Sequence, residues 1–324
     1  MQTEASKGNN NKLKDYLQLT KPSLNIMVVF SSVICFLLAP GVTKFLNPWF
    51  WSLVLFAGGY LVTGSANAMN MAVEKDTDAL MKRTASRPVA AGRMTVNEAW
   101  AFAIITGLAG VFILGYFFNL LSASLAAFSL FLYAFVYTPL KKVSAVAVLV
   151  GAFPGALPCL IGWAAGNEAI FESGNGWKDY GGLALFALQF LWQFPHFWAI
   201  AWVAHKDYSN AGFKLLPADK GPTKFTALQT IVYALLLIPV SVLPFVIGLT
   251  GKYSLIIVMI ANLFLVWQCV RLYKEMEPKA ARRVMFSSYI YLPVVLMALL
   301  ADKLPPTPKG ELGNLLNAMS SFFV

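Results

Sequence analysis

Asn70, Glu74 and Asp78 recur at intervals of four. On a continuous helix this spacing puts successive side chains about 40° apart in azimuth and about 6 Å apart in rise, so three oxygen-bearing groups share one face. Asp76 would lie on the other side. Arg83 and Arg87 follow, and Pro88 biases Arg87 towards an extended backbone, which predicts that the helix ends there. Carboxylates beside guanidinium groups suit a magnesium-bridged phosphate, because Mg²⁺ takes a few carboxylate oxygens and completes its octahedron with phosphate oxygens and water. Asn70, Glu74, Asp78 and Asp207 can supply the protein's share, while Arg83, Arg87, Lys141 and Lys142 face the remaining phosphate charge. Such a set would stabilise a departing diphosphate. The plainer alternative is a solvated loop in which acids at a helix end pair with nearby bases, and it suits Asp76 and Asp219 at least as well. For Asn70, Glu74 and Asp78 it is weaker, because Thr63 and Asn67 continue the stripe into apolar sequence, where lipid cannot satisfy polar groups.

A second stripe runs through Gln189, Gln193, His196 and Asp207. Their offsets of four, seven and eighteen place them near one azimuth of an unbroken helix, with His196 about 16 Å from Asp207 along the axis. Pro195 makes that distance soft. Lys141 and Lys142 close the motif Tyr137-Thr-Pro-Leu-Lys-Lys and on their own read as topology signals. Glu74-Lys75-Asp76 is echoed by His205-Lys206-Asp207, as though helices one to four and five to eight were two halves, although three residues do not establish a repeat.

The elements that must carry these residues are membrane helices. The chain of 324 residues is 58% hydrophobic and 12% charged, the composition of an all-α polytopic bundle. Runs of spanning length occur at 24–40, 49–73, 99–118, 122–138, 145–165, 182–204, 225–248, 254–270 and 284–301, which predicts nine transmembrane helices in a single domain over 1–324. With the N-terminus inside, all of the 25 basic residues except Lys44, Lys178, Lys252, Lys303 and Lys309 fall in inner segments. The positive-inside rule therefore predicts a cytoplasmic N-terminus, cytoplasmic active-site loops and an outer C-terminus. The net charge of +10 sits in short loops, which favours anionic lipid and an anionic substrate and excludes nucleic acid as a partner. Cys35, Cys159 and Cys269 fall inside spans and read as small core residues. No cleavable signal precedes the first span. Residues 1–18 read as a flexible tail, and Gly166 to Tyr180 as a solvated outer connection. Residues 302–324 read as an outer tail in which Leu312, Leu315, Leu316, Met319, Phe322 and Phe323 have the spacing of an interfacial helix.

With these residues in view, the chain resembles the UbiA superfamily of intramembrane prenyltransferases, whose first acidic motif N-x-x-x-D/E-x-x-x-D is matched by Asn70, Glu74 and Asp78. Within that superfamily it is similar to the protoheme IX farnesyltransferases. That likeness rests on Lys82-Arg-Thr-Ala-Ser-Arg-Pro88, Tyr137-Thr-Pro-Leu-Lys-Lys142, Gly155-Ala-Leu-Pro158 with Gly162-Trp163, Trp192-Gln-Phe-Pro-His-Phe197, and Asp207-Tyr-Ser-Asn-Ala-Gly212 with Leu216-Pro217. Glu74 stands where many relatives have Asp, and Val203 where quinone-type relatives carry a further Asp. The resemblance implies transfer of farnesyl from farnesyl diphosphate to the 2-vinyl group of haem B, with Mg²⁺ as cofactor, in a bacterial plasma membrane. Haem A synthase or terminal-oxidase assembly factors are the implied partners. His196, His205 and Gln193 are the candidate haem contacts. A prenyltransferase acting on quinone precursors is the nearest competitor, and a transporter is the competitor from another class.

Overall fold

The computed structural model describes residues 12–171, 176–217 and 221–305. Asp219, Glu172 and the expected interfacial helix beyond residue 305 lie outside the described residues. Among those described, eight helices are long and apolar enough to cross a membrane: α2 (Pro48–Val73), α3 (Val96–Phe117), α4 (Leu120–Leu140), α5 (Ala147–Asn167), α6 (Lys178–Val203), α7 (Lys224–Val246), α8 (Lys252–Glu275) and α9 (Pro278–Ala301). The ninth span is α1 (Pro22–Leu38) together with the short helix Lys12–Thr20, from which it bends by 42°. This is an integral membrane protein.

That short helix corrects the expected flexible tail over its residues 12–18. Asp15 is buried and accepts from Arg93 Nε at 2.9 Å, Tyr16 packs on Phe102 and Leu19 is fully buried. A carboxylate anchored by a guanidinium and an aromatic pair outweigh the segment's polar composition. Asp179, expected in a solvated connection, is also buried.

Neighbouring spans pack in two linked rings: α1, α2, α3, α4, α5 and back to α1, and α6, α7, α8, α9 and back to α6, joined by α5 against α6 and α9 against α1. The shared wall is α5, buried at every residue from Ala156 to Asn167. Small residues make this possible. A Cβ on Gly162 would collide with the Ser32 carbonyl oxygen, so α1 and α5 touch backbone to backbone. Gly162→Ala should therefore force the two helices apart and lower the detergent unfolding midpoint, at a cost of roughly 1–3 kcal/mol. Gly115→Ala, whose methyl meets only the Ala123 Cβ at 3.3 Å, serves as the control and should leave the midpoint nearly unchanged.

Pro154 and Pro158 lie inside α5 and leave its carbonyl ladder incomplete. Ser129 Oγ on α4 donates to the Pro154 carbonyl at 3.2 Å, Gln189 Nε2 to that of Gly155 at 2.7 Å, and Gln193 Nε2 to that of Ala152 at 3.0 Å. Hydrogen bonding by neighbouring helices thus stabilises the irregular wall.

Candidate active site

α2 ends at Val73, and Glu74 (φ −92°, ψ 14°) interrupts it before a short helix, Lys75–Ala79. The backbone still bonds across the break, Glu74 N to Asn70 O at 2.9 Å and Asp78 N to Glu74 O at 2.7 Å. Asn70, Glu74 and Asp78 consequently keep a common edge and are all buried, whereas Asp76 is exposed. The helix expected to run to Arg87 stops at Ala79. The Thr84 hydroxyl donates to the Asp78 carbonyl at 2.9 Å, taking the acceptor that another helical turn would have used. The chain then turns back.

This turn brings Arg87 onto Asp78, with one guanidinium nitrogen donating to both carboxylate oxygens at 2.7 Å. Burial pushes the Asp78 carboxyl above its ordinary value, against the opposing pull of Arg87. Lys141 Nζ donates to Glu74 Oε1 at 2.8 Å, with both partners buried, and lies 4.6 Å from the Tyr137 ring centroid. Lys142, its neighbour in sequence, is exposed. Arg83 stands at the exposed rim, where Nη2 donates to Tyr208 OH at 3.1 Å. Asp207 is half-buried on the short helix His205–Asn210. Among the described residues no bond joins Asp207 or Lys142 to the cluster, and no three acidic, histidine or cysteine side chains converge as a metal-ligand group.

Lys21 is a member of the cluster that sequence reasoning missed. It sits at the bend before α1 with φ 48° and ψ 69°, an unusual backbone for a residue with a Cβ, and its Nζ donates to Asn70 Oδ1 at 3.1 Å. Its signal in the sequence is its place beside Pro22 at the basic end of a span, which by itself marks only topology. Two carboxylates thus face three cations: Lys21, Arg87 and Lys141. Asn70 Nδ2 is buried without a hydrogen-bond partner. An orphaned amide donor beside three cations lacks an acceptor such as a phosphate oxygen, and the hard oxygens of Glu74 and Asp78 are the donors Mg²⁺ prefers, so the residues fit a magnesium diphosphate.

Immediately above the cluster, a cleft between α1, α2, α4 and α5 encloses about 700 Å³ including its open mouth. Thr63, Asn67 and Tyr133 line the end nearer the cluster, and Val29, Leu114 and Ile161 its far end. Over Leu132–Tyr137, α4 widens into a π turn, since Pro139 cannot donate to the ladder, and Thr138 Oγ1 takes the Tyr133 carbonyl at 2.8 Å. The widened turn brings Tyr133 to the cleft and Tyr137 to Lys141.

The second stripe does not stay on one face. α6 ends at Val203, with Ala204 (φ −95°, ψ 13°) breaking it much as Glu74 breaks α2. The two halves therefore share a broken helix end, but one residue out of the register suggested by Glu74-Lys75-Asp76 and His205-Lys206-Asp207. Gln193 turns to α5, as described. His196 turns to α9, stacking on Trp192 (4.8 Å, 19°) and meeting Tyr289 edge-on (4.9 Å). Its Nδ1 lies 2.8 Å from Ser288 Oγ, and that hydroxyl already donates to the Met285 carbonyl at 2.7 Å. Ser288 must then accept from His196 Nδ1–H, which leaves the lone pair on Nε2. His205 lines a separate cavity with Tyr208, Lys214 and Gly221.

The model of the UbiA prenyltransferase family matches residues 27–290. A protein of Cytophaga hutchinsonii named protoheme IX farnesyltransferase is 44% identical over 291 residues, covering 89% of this chain and 97% of that protein. One of the same name from Flavobacterium johnsoniae is 43% identical over 297 residues, covering 89% and 94%. In fold, the chain resembles a digeranylgeranylglyceryl phosphate synthase (TM-score 0.72, 21% identity, 90% and 98% covered). It also resembles a UbiA homologue from Archaeoglobus fulgidus solved with DMAPP and Mg²⁺ (TM-score 0.63, 14% identity, 88% and 99% covered). With a family match across most of its length, the chain is a prenyltransferase and a member of the UbiA prenyltransferase family.

Proposed function

We propose that the protein transfers the farnesyl group of farnesyl diphosphate to the 2-vinyl group of haem B, giving haem O. The observation that carries this reading is the cluster of Lys21, Asn70, Glu74, Asp78, Arg87 and Lys141, with an apolar cleft beginning at Asn67, one turn along α2 from Asn70. The names of the relatives supply the acceptor. In the first step the allylic C–O bond breaks and its electron pair leaves with the diphosphate. The terminal vinyl carbon then bonds to the farnesyl C1, and the cation formed beside the porphyrin takes water and releases a proton. Lys21, Arg87 and Lys141 hold the diphosphate, with Arg83 at the rim, and each can exchange a side-chain partner for a phosphate oxygen. That exchange frees Glu74 and Asp78 to hold Mg²⁺, which when bound neutralises the leaving diphosphate. Asn70 Nδ2 gains its missing acceptor. The apolar cleft keeps water from the allylic cation.

His196 is the haem contact best supported by its surroundings, because Ser288 fixes the tautomer that leaves Nε2 available to iron. Gln193, whose amide holds α5, is the weaker candidate, and His205 would meet haem only from its separate cavity. Asp207, with its short helix, and Lys142 would join the site only by moving inward. The basic end faces the cytoplasm of a bacterial plasma membrane in this proposal, supported by the distribution of Lys and Arg.

The test is to incubate purified protein with haem B, farnesyl diphosphate and Mg²⁺ and weigh the haem. A product heavier by farnesyl plus water, formed only with Mg²⁺, is expected. Unchanged haem together with a prenylated quinone precursor would move the acceptor assignment. His196→Ala should weaken haem binding, read from the Soret band, and leave farnesyl diphosphate binding intact. Equal loss of both would make His196 structural.

A further inference from the structure

The cleft has a definite floor. α3 lies against α2 through glycines, a Cβ on Gly110 approaching the Gly58 carbonyl oxygen at 2.7 Å, so its backbone stays outside the cleft. Leu114 is the one α3 residue that reaches the lining. It is fully buried and lies across Gly58, where a Cβ would meet Leu114 Cδ2 at 3.0 Å. Gly58 is twelve residues from Asn70 along α2, or about 18 Å. With bonds of about 1.5 Å in an extended zigzag, a farnesyl chain measures about 14 Å and a geranylgeranyl chain about 19 Å. The cations on Glu74 and Asp78 hold the diphosphate on the side of Asn70 away from Gly58, so about 18 Å is left for the chain, and the first chain fits above Leu114 while the second does not.

We propose that Leu114 is the stop that sets prenyl chain length, with Gly59 keeping open the space just before it. Gly59 lines the cleft, and a Cβ there would meet Val29 Cγ1 at 3.1 Å, so a side chain at this position narrows the passage above the floor. The inference rests on the cleft being the prenyl site. Leu114→Ala removes the floor and admits a longer chain, while Gly59→Leu raises it and admits only a shorter one.

The experiment measures binding of non-hydrolysable geranyl, farnesyl and geranylgeranyl thiodiphosphates with Mg²⁺, without haem, by their protection of the protein against thermal unfolding. Wild type should bind the farnesyl analogue best. Leu114→Ala should raise the ratio of geranylgeranyl to farnesyl affinity at least about tenfold, since even one methylene seated in an apolar pocket is worth about that much and the longer chain gains a whole isoprene unit. Gly59→Leu should shift the preference towards geranyl. Because each readout is a ratio within one variant, a general loss of stability cancels. Unchanged ratios in both variants, with wild type still binding the farnesyl analogue, would overturn the assignment of Leu114 and leave the prenyltransferase reading intact. Failure of wild type to bind any of the three would instead overturn the prenyl site itself.

Discussion

Asp78→Asn is expected to lower turnover about 10²–10³-fold, the scale on which preorganised charge acts in such sites. The substitution keeps the shape of the side chain and removes the charge that orients Arg87 and would hold Mg²⁺. Alanine is the poorer choice, because Asp78 is 1% exposed and clamps Arg87 with both oxygens. Its removal would leave a void beside an unpaired guanidinium and confuse loss of chemistry with loss of structure. Product mass and an unfolding curve measured on one preparation separate the two effects. Normal turnover in the asparagine variant would remove Asp78 from the metal site.

Lys141→Met should show the second large effect, a fall of about 10²–10³ in kcat together with weaker binding of prenyl diphosphate. It should also destabilise the resting protein by about 3–5 kcal/mol, since Glu74 is left buried and unpaired. Adding Glu74→Gln should restore much of the stability, because the uncompensated charge is gone, and none of the activity, because both the phosphate ligand and the metal ligand are then missing. Recovery of activity in the double variant would mean that the pair serves only the fold. Lys142→Met should leave stability unchanged, since that side chain is exposed.

The spans, the end that collects positive charge and the edge shared by Asn70, Glu74 and Asp78 are legible in the order of residues alone. Each follows from a local rule: hydrophobic length, loop charge and helical period. The edge survived even where the helix broke, because the bonds from Glu74 to Asn70 and from Asp78 to Glu74 persist through the interruption. The family motif was legible for the same reason, being a run of close neighbours in sequence.

Which cations serve that edge depends on how the helices and turns pack. Lys141 and Lys142 are alike in sequence, yet one is buried on Glu74 and the other exposed, because the π turn before them rotates the helix end. Arg83 and Arg87 separate because the chain turns back through Thr84, a bond made by a side chain that helical periodicity does not register. Lys21 enters through a left-handed backbone next to a proline, 49 residues from Asn70. The stripe on α6 divides for a related reason: the Gly155 and Ala152 carbonyls of α5 accept from Gln189 and Gln193, while Ser288 on α9 draws His196 the other way. Periodicity says which residues share a helix face, but which neighbour offers an unmet donor or acceptor to that face is settled when the helices pack.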